Sequence, residues 1–317
     1  MQTVETERSA PDLREIVKRL GGEIHHGGRS ALVPAPGHSR SDRGLSLTLT
    51  REGRLIWHAF NAGNDRATMR EVFAYLGLDQ RGGRPMTKAE AQRARADLER
   101  KREAERKVKL AFCRDVWGQT VPAAGSPVEA YLRGRGLIGE VPPVLRFHPT
   151  APLGYPDPSR PDLPRYPAMV AIVTGPDGKT ATGLHVTALS SDGRGKAAMR
   201  NPRRMFGDLA GGVVQLAPLP GKDGPLAVGE GIETCLAYRD LKGVATWAAL
   251  STSGLRRFSP PAGVARLIVA ADSDDAPKRE GMASARHLAE RARRRCAVTI
   301  DAAPEGLDWG DVLEARP

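Results

Sequence analysis

The chain has 317 residues, enough for two compact domains and connecting material. Hydrophobic residues make up 40% and aromatics only 5%, so any core must be built mainly from aliphatic side chains. The net charge of +11 points to a polyanionic partner, and nucleic acid is the usual one. An arginine-rich composition inherited from a GC-rich genome would give the same sign without such a partner. Cys113, Cys235 and Cys296 are far apart and show no CxxC spacing. That argues against a disulfide framework or a cysteine-rich zinc site and fits a reducing cytoplasm. The first residues lack the apolar run of a signal peptide, and no stretch approaches the roughly 20 apolar residues of a membrane span. A cytoplasmic location without membrane contact is the expectation.

In chain order, residues 11–20 have the spacing of an amphipathic helix, with Leu13, Ile16, Val17 and Leu20 on one face. Residues 31–60 alternate as strands and tight turns, and a second helix over 67–78 ends at Gly77. Residues 81–85 break the pattern. From Thr87 to Gln119 the chain predicts a long charged helix, most of it without an apolar stripe and therefore solvated. A short helix follows Pro127, and the proline-rich stretch 141–166 predicts irregular structure. AMVAIVTG and TATGLHVTAL flank the turn Pro176–Lys179 as a hairpin, and GGVVQLAP predicts a further strand. From Leu226 the order changes to strand, helix, strand, strand, helix, strand, which implies a mostly parallel sheet flanked by helices. The fold class is α/β. The expected divisions are a small α+β unit over 1–80, a charged helical linker over 81–125, a mixed α+β segment over 126–222 and the parallel-sheet domain over 223–317.

The chemistry concentrates at two strand ends. Glu230 follows the apolar strand Leu226–Gly229, and Asp272 and Asp274 follow the strand Leu267–Ala271. In parallel sheets ligands gather beyond the carboxyl ends of the strands. Two carboxylates at i and i+2 in extended chain share a side. With a third from a neighbouring strand they form a hard-oxygen set suited to Mg²⁺. Taken singly, Glu230 is also what a helix N-terminus favours, and Asp272 is also what a turn favours. Asp275 is offset in the alternation. Upstream, the cations Lys196, Arg200, Arg203 and Arg204 suit a track for template or nucleotide phosphates, or else a solvated basic turn.

LAVGEGIETCLA, followed by LIVAADSDDA and a helix, resembles the Toprim domain of bacterial primases, topoisomerases and related nucleases. The resemblance implies Glu230, Asp272 and Asp274 as catalytic metal ligands. Glu233 stands where the primase version has an Asp at the helix start. LDWGDVL resembles the later acidic motif, adding Asp308, with Asp311 beside it, to the extended site. The upstream run resembles the first half of a bacterial-type primase polymerase domain, with Asp177, Gly178, Gly183, Lys196 and Asn201 in register. Thr187 stands where that family has an Arg. The N-terminal unit follows the outline of a primase zinc ribbon whose Cys positions hold other residues, leaving His38 and His58. Two histidines without thiolates make a poor structural zinc site, so no zinc is expected. His38, Arg40, Arg43 and His58 are candidates either for DNA contact or for a polar packing surface.

The resemblance implies a DNA primase that makes short RNA primers on single-stranded DNA from nucleoside triphosphates. Mg²⁺ would be its cofactor, with Mn²⁺ as a substitute, and a replicative helicase a further partner. It leaves two other readings open: a Toprim nuclease, in which water replaces the 3′-hydroxyl, and a non-catalytic nucleic-acid-binding protein of a mobile element. No phosphate-binding GxxxxGK[ST] loop is present.

Overall fold

The computed structural model describes residues 11–51, 55–60, 66–78, 88–159, 161–221, 224–273 and 280–316. It divides into two compact units, 1–105 and 106–317.

In the first unit, Asp12 caps α1 (Leu13–Leu20) by accepting the Arg14 N–H. The strands β1 (Glu23–His25), β2 (Ser30–Val33), β3 (Leu45–Leu49) and β4 (Leu55–Ala59) form an antiparallel meander. α2 (Arg66–Leu76) completes a core of Leu13, Ile16, Val33, Leu45, Leu47, Val72 and Leu76. Alternation along β2 and β3 buries one face only, as expected for a one-sided sheet.

α3 (Lys88–Gly118) crosses the boundary between the units. Its start is polar, but its last two turns carry Phe112, Cys113, Val116 and Trp117. These pack on the antiparallel sheet that follows, so this end of the helix is not a solvated linker. That sheet runs in sequence order: β5 (Val121–Pro122), β6 (Leu145–Pro152), β7 (Arg165–Thr174), β8 (Ala181–Ala188) and β9 (Arg203–Gly207). α4 (Pro127–Gly134), capped by Ser126, lies between β5 and β6 in the chain. The stretch 141–166 is therefore not irregular throughout. Its prolines are compatible with β6 because Pro149 sits in the register shift between His148 and Ala151 and Pro152 ends the strand. Gly183 is needed where it stands: a Cβ there would lie 2.1 Å from the Phe206 carbonyl oxygen on the paired strand.

The second sheet has the order β10–β12–β11–β13–β14. It comprises β10 (Val214–Gln215), β11 (Pro225–Gly229), β12 (Ala245–Ala248), β13 (Arg266–Ala271) and β14 (Ala297–Ala302). The last four are parallel, and β10 is an antiparallel edge. The GGVVQLAP strand is thus short, and Val213 also bridges Thr174 at the end of β7, so this segment ties the two sheets together. α5 (Ile232–Lys242) and α8 (Trp309–Glu314) cover one face, with Ala227, Ala248 and Ala270 beneath them. α6 (Thr252–Arg257) and α7 (Glu280–Ala292) cover the other, over Leu226, Val228, Leu267 and Val269. Small residues lie under α5 and large aliphatics under α7, which reads out as nearly continuous apolar strands. No described helix is long and apolar enough to cross a membrane.

Candidate active site

Strand order fixes where a ligand can enter. The chain leaves β11 toward β12 on one side and leaves β13 toward β14 on the other. The crevice beyond the carboxyl ends of β11 and β13 is therefore a topological switch point, where open α/β sheets bind ligands. Glu230 and Asp272 are the first residues past those two strands, and both are half-buried. Val228 pairs with Val269, so the register extends to place Glu230 level with Ala271 and one step from Asp272. Asp274 and Asp275 lie outside the described residues.

The loop around Glu230 is tightly held. Its carbonyl accepts the Leu250 N–H at 2.8 Å, and Leu250 has φ +71, a strained value for a branched side chain. Gly229 lets α5 approach, because a Cβ there would meet Cys235 Sγ at 2.8 Å. The Cys235 thiol is pushed up first by burial and then by the charges of Asp272, Glu233 and Glu230. The charges of three carboxylates thus bear on one thiol near the start of α5. Asp308 belongs to the neighbouring loop: the Ser273 N–H donates to the Leu307 carbonyl at 3.0 Å, and Gly306 N–H returns to Ser273 at 3.0 Å. Asp308 also has a structural task. Its Oδ1 caps α8 by accepting the Asp311 N–H at 2.8 Å, while Asp311 Oδ2 accepts the Asp308 N–H at 2.9 Å.

The cations divide. Lys196 Nζ lies 2.9 Å from Glu233 Oε1, which also accepts the Tyr131 hydroxyl at 2.8 Å. Burial raises the Glu233 carboxyl, but Lys196, and Arg203 behind it, hold it down at about 2. Lys196 is therefore a half-buried counter-charge to Glu233. Arg204 donates to the carbonyls of Leu153, Asn201 and Arg203 and serves the backbone. Arg200 and Arg203 remain exposed. His185 and Thr187 on β8 are buried beside this network. His185 Nδ1 and Thr187 Oγ1 have no hydrogen-bond partner among the described residues. Burial first, and then Arg203 and Lys196 against the opposing pull of Glu233, lower the His185 imidazole to about 4. Sequence reading missed Tyr131 and His185, since nothing local marks either.

Asp177 and Asn201 make turns. Asp177 Oδ1 accepts from Lys179 and Thr180 N–H, and Asn201 Oδ1 accepts from Arg203 N–H. In the first unit, His38 Nδ1 stands 3.4 Å from Asp42 Oδ2, His58 stacks on Phe60, and Arg43 pairs with Glu23 at 3.0 Å. Arg40 is exposed. Among the described residues no group of three or more His, Cys, Asp or Glu is placed to hold a metal ion. The donors at the switch point nonetheless fit Mg²⁺ in kind. They are hard carboxylates, and Mg²⁺ is ordinarily held by one or two of these together with water and substrate phosphates.

A Toprim domain model matches residues 225–316. Residues 225–316 are a Toprim domain. A Domain of unknown function (DUF7146) matches residues 107–216, which run from the end of α3 through the antiparallel sheet to β10. No curated protein matches the sequence. Among solved structures, the chain is similar to the zinc-binding and RNA polymerase domains of the Aquifex aeolicus primase. Identity is 14%, coverage is 97% of this chain and 80% of that one, and the TM-score is 0.42. A DNA primase domain from Pseudomonas aeruginosa matches at 15% identity over 66% and 74%, with a TM-score of 0.40. A DnaG primase catalytic domain bound to single-stranded DNA matches at 13% identity over 68% and 78%, with a TM-score of 0.42.

Proposed function

We propose that the chain is a DNA primase, extending a primer by nucleotidyl transfer on single-stranded DNA at the switch point of its Toprim sheet. The observation that carries this reading is that Glu230 and Asp272 follow adjacent strand ends, with Lys196 of the antiparallel half paired to Glu233 at the start of the next helix. Glu230, Asp272 and Asp274, with Asp308 alongside, would hold the cofactor. Mg²⁺, or Mn²⁺ in its place, supplies charge neutralisation and alignment of phosphate oxygens when bound. The 3′-oxygen of the primer attacks the α-phosphorus of a nucleoside triphosphate, and the bond to pyrophosphate breaks as the new phosphodiester forms. Glu230 would take up or orient the 3′-hydroxyl proton. Arg203, whose charge acts on Glu233, and Arg200, both exposed, would supply positive charge for phosphates of template or nucleotide. Rate enhancement comes mainly from positioning and from fixed charge.

The test is incubation with single-stranded DNA, labelled nucleoside triphosphates and Mg²⁺. Metal-dependent elongation is expected. Shortening of the DNA would instead identify a nuclease, and binding without metal-dependent chemistry would identify an accessory protein; either overturns the assignment.

A further inference from the structure

On the face of the antiparallel sheet opposite the Toprim domain, α3 covers only part of the exposed surface. Val170, Val186 and Ala168 are closed over by Cys113 and Val116. Beyond them an open groove of about 270 Å³ runs between α3 and strands β7 and β8, lined chiefly by Leu110, Trp117, Ile172 and Leu184. Lys107 and Arg114 stand on its helical rim. They are seven residues apart, two helical turns, and so project along the same side. Both are exposed, and among the described residues no acidic one lines the groove. Asp115, next to Arg114, is directed elsewhere: it accepts from Gln119 and acts on His148 of β6.

Size and chemistry narrow the occupant. The volume is at the small end of the roughly 300–1,000 Å³ range usual for a drug-sized ligand or cofactor, and it admits one large apolar side chain. A nucleobase would need polar partners for its ring edge, and the walls are almost wholly hydrocarbon and thiol. Two unopposed cations on the rim favour carboxylates on either side of the anchor.

We infer that this groove docks an acidic segment of a partner protein, with a single Phe- or Leu-sized side chain inserted between α3 and the sheet. The aromatic ring of Trp117 and the side chains of Leu110, Ile172 and Leu184 exclude water from the anchor. Lys107 and Arg114 pair with flanking carboxylates at the exposed rim, where they set orientation and salt dependence more than affinity. The groove is remote from Glu230 and Asp272 in the fold, so occupancy leaves the acidic site open to nucleic acid.

The experiment uses the full chain and a fluorescein-labelled peptide, Asp-Asp-Glu-Phe-Asp-Asp, read by anisotropy. Saturable binding is expected, weakened roughly tenfold or more when Phe is replaced by Ala in the peptide and also in the Lys107→Glu, Arg114→Glu double variant. Ala181→Trp, which fills the groove from an exposed position on β8, should abolish binding while leaving the melting temperature unchanged. Absence of binding up to about 1 mM overturns the inference, as does equal binding of the Phe and Ala peptides. If oligodeoxythymidylate binding is lost in Ala181→Trp and peptide binding is not, the groove belongs to nucleic acid and the inference fails.

Discussion

The two five-stranded sheets of the larger unit bury similar apolar strands, yet they end in opposite charges. The antiparallel sheet runs strand to strand in chain order; Asp177 closes its β7–β8 turn, Asn201 closes the turn into β9, and Arg203 is exposed on β9. The parallel sheet needs helical crossovers, and these gather all its strand exits at one end, where Glu230 and Asp272 lie. Parallel topology concentrates chemistry because it concentrates loops. The sheets meet at Lys196 and Glu233, one charge from each side, with Glu233 buried and Lys196 half-buried.

The sharpest way to break this comparison is Glu230→Gln. Nucleotide addition should fall about 10²–10⁴-fold with an unchanged melting curve. Retained activity would remove the parallel sheet's strand ends from the chemistry. Next in size is Lys196→Met, which strands the Glu233 carboxylate. Loss of stability on the order of 2–3 kcal/mol is expected, below the fully buried range because Lys196 keeps 28% exposure. Adding Glu233→Gln should recover most of that loss in chemical denaturation, and failure to recover would show that Lys196 acts elsewhere.

His185 supplies a pH dependence of the junction. Its folded pKa, about 4, lies below the ordinary histidine value, so the unfolded chain binds the proton first as pH falls. Stability should therefore decline between pH 6.5 and about 4, by on the order of 1–3 kcal/mol. His185→Asn should flatten that segment of the profile. Glu233, lowered to about 2, acts in the same direction but later, losing its contribution as pH drops from its ordinary value of 4.5 through about 2. The smallest effect separates two roles of one residue. Asp308→Ala should cost about 1 kcal/mol through the lost α8 cap. Asp308→Asn should keep the cap, so a loss of activity in that variant would come from the missing charge.

Much of the site was legible because its signals are local. The acids stand directly after apolar strands, and the long α3 and the Pro176–Lys179 hairpin turn follow from periodicity and turn residues. β6 was hidden because its prolines look like breakers until the bulge at Pro149 is seen. α8 was hidden because a six-residue helix has too little periodicity to read, although its Asp308–Asp311 capping pattern was in plain view.

By itself the sequence determined the parallel α/β order and the acidic strand ends, since apolar runs and the residues that follow them are short-range properties of the chain. Only the tertiary structure decided which charges meet. Tyr131 reaches Glu233 across 102 residues, Lys196 turns from a free cation into the half-buried partner of Glu233, and Val213 bridges one sheet before β10 joins the other. These are long-range pairings, fixed when the two sheets close on a common core, and no local pattern encodes them.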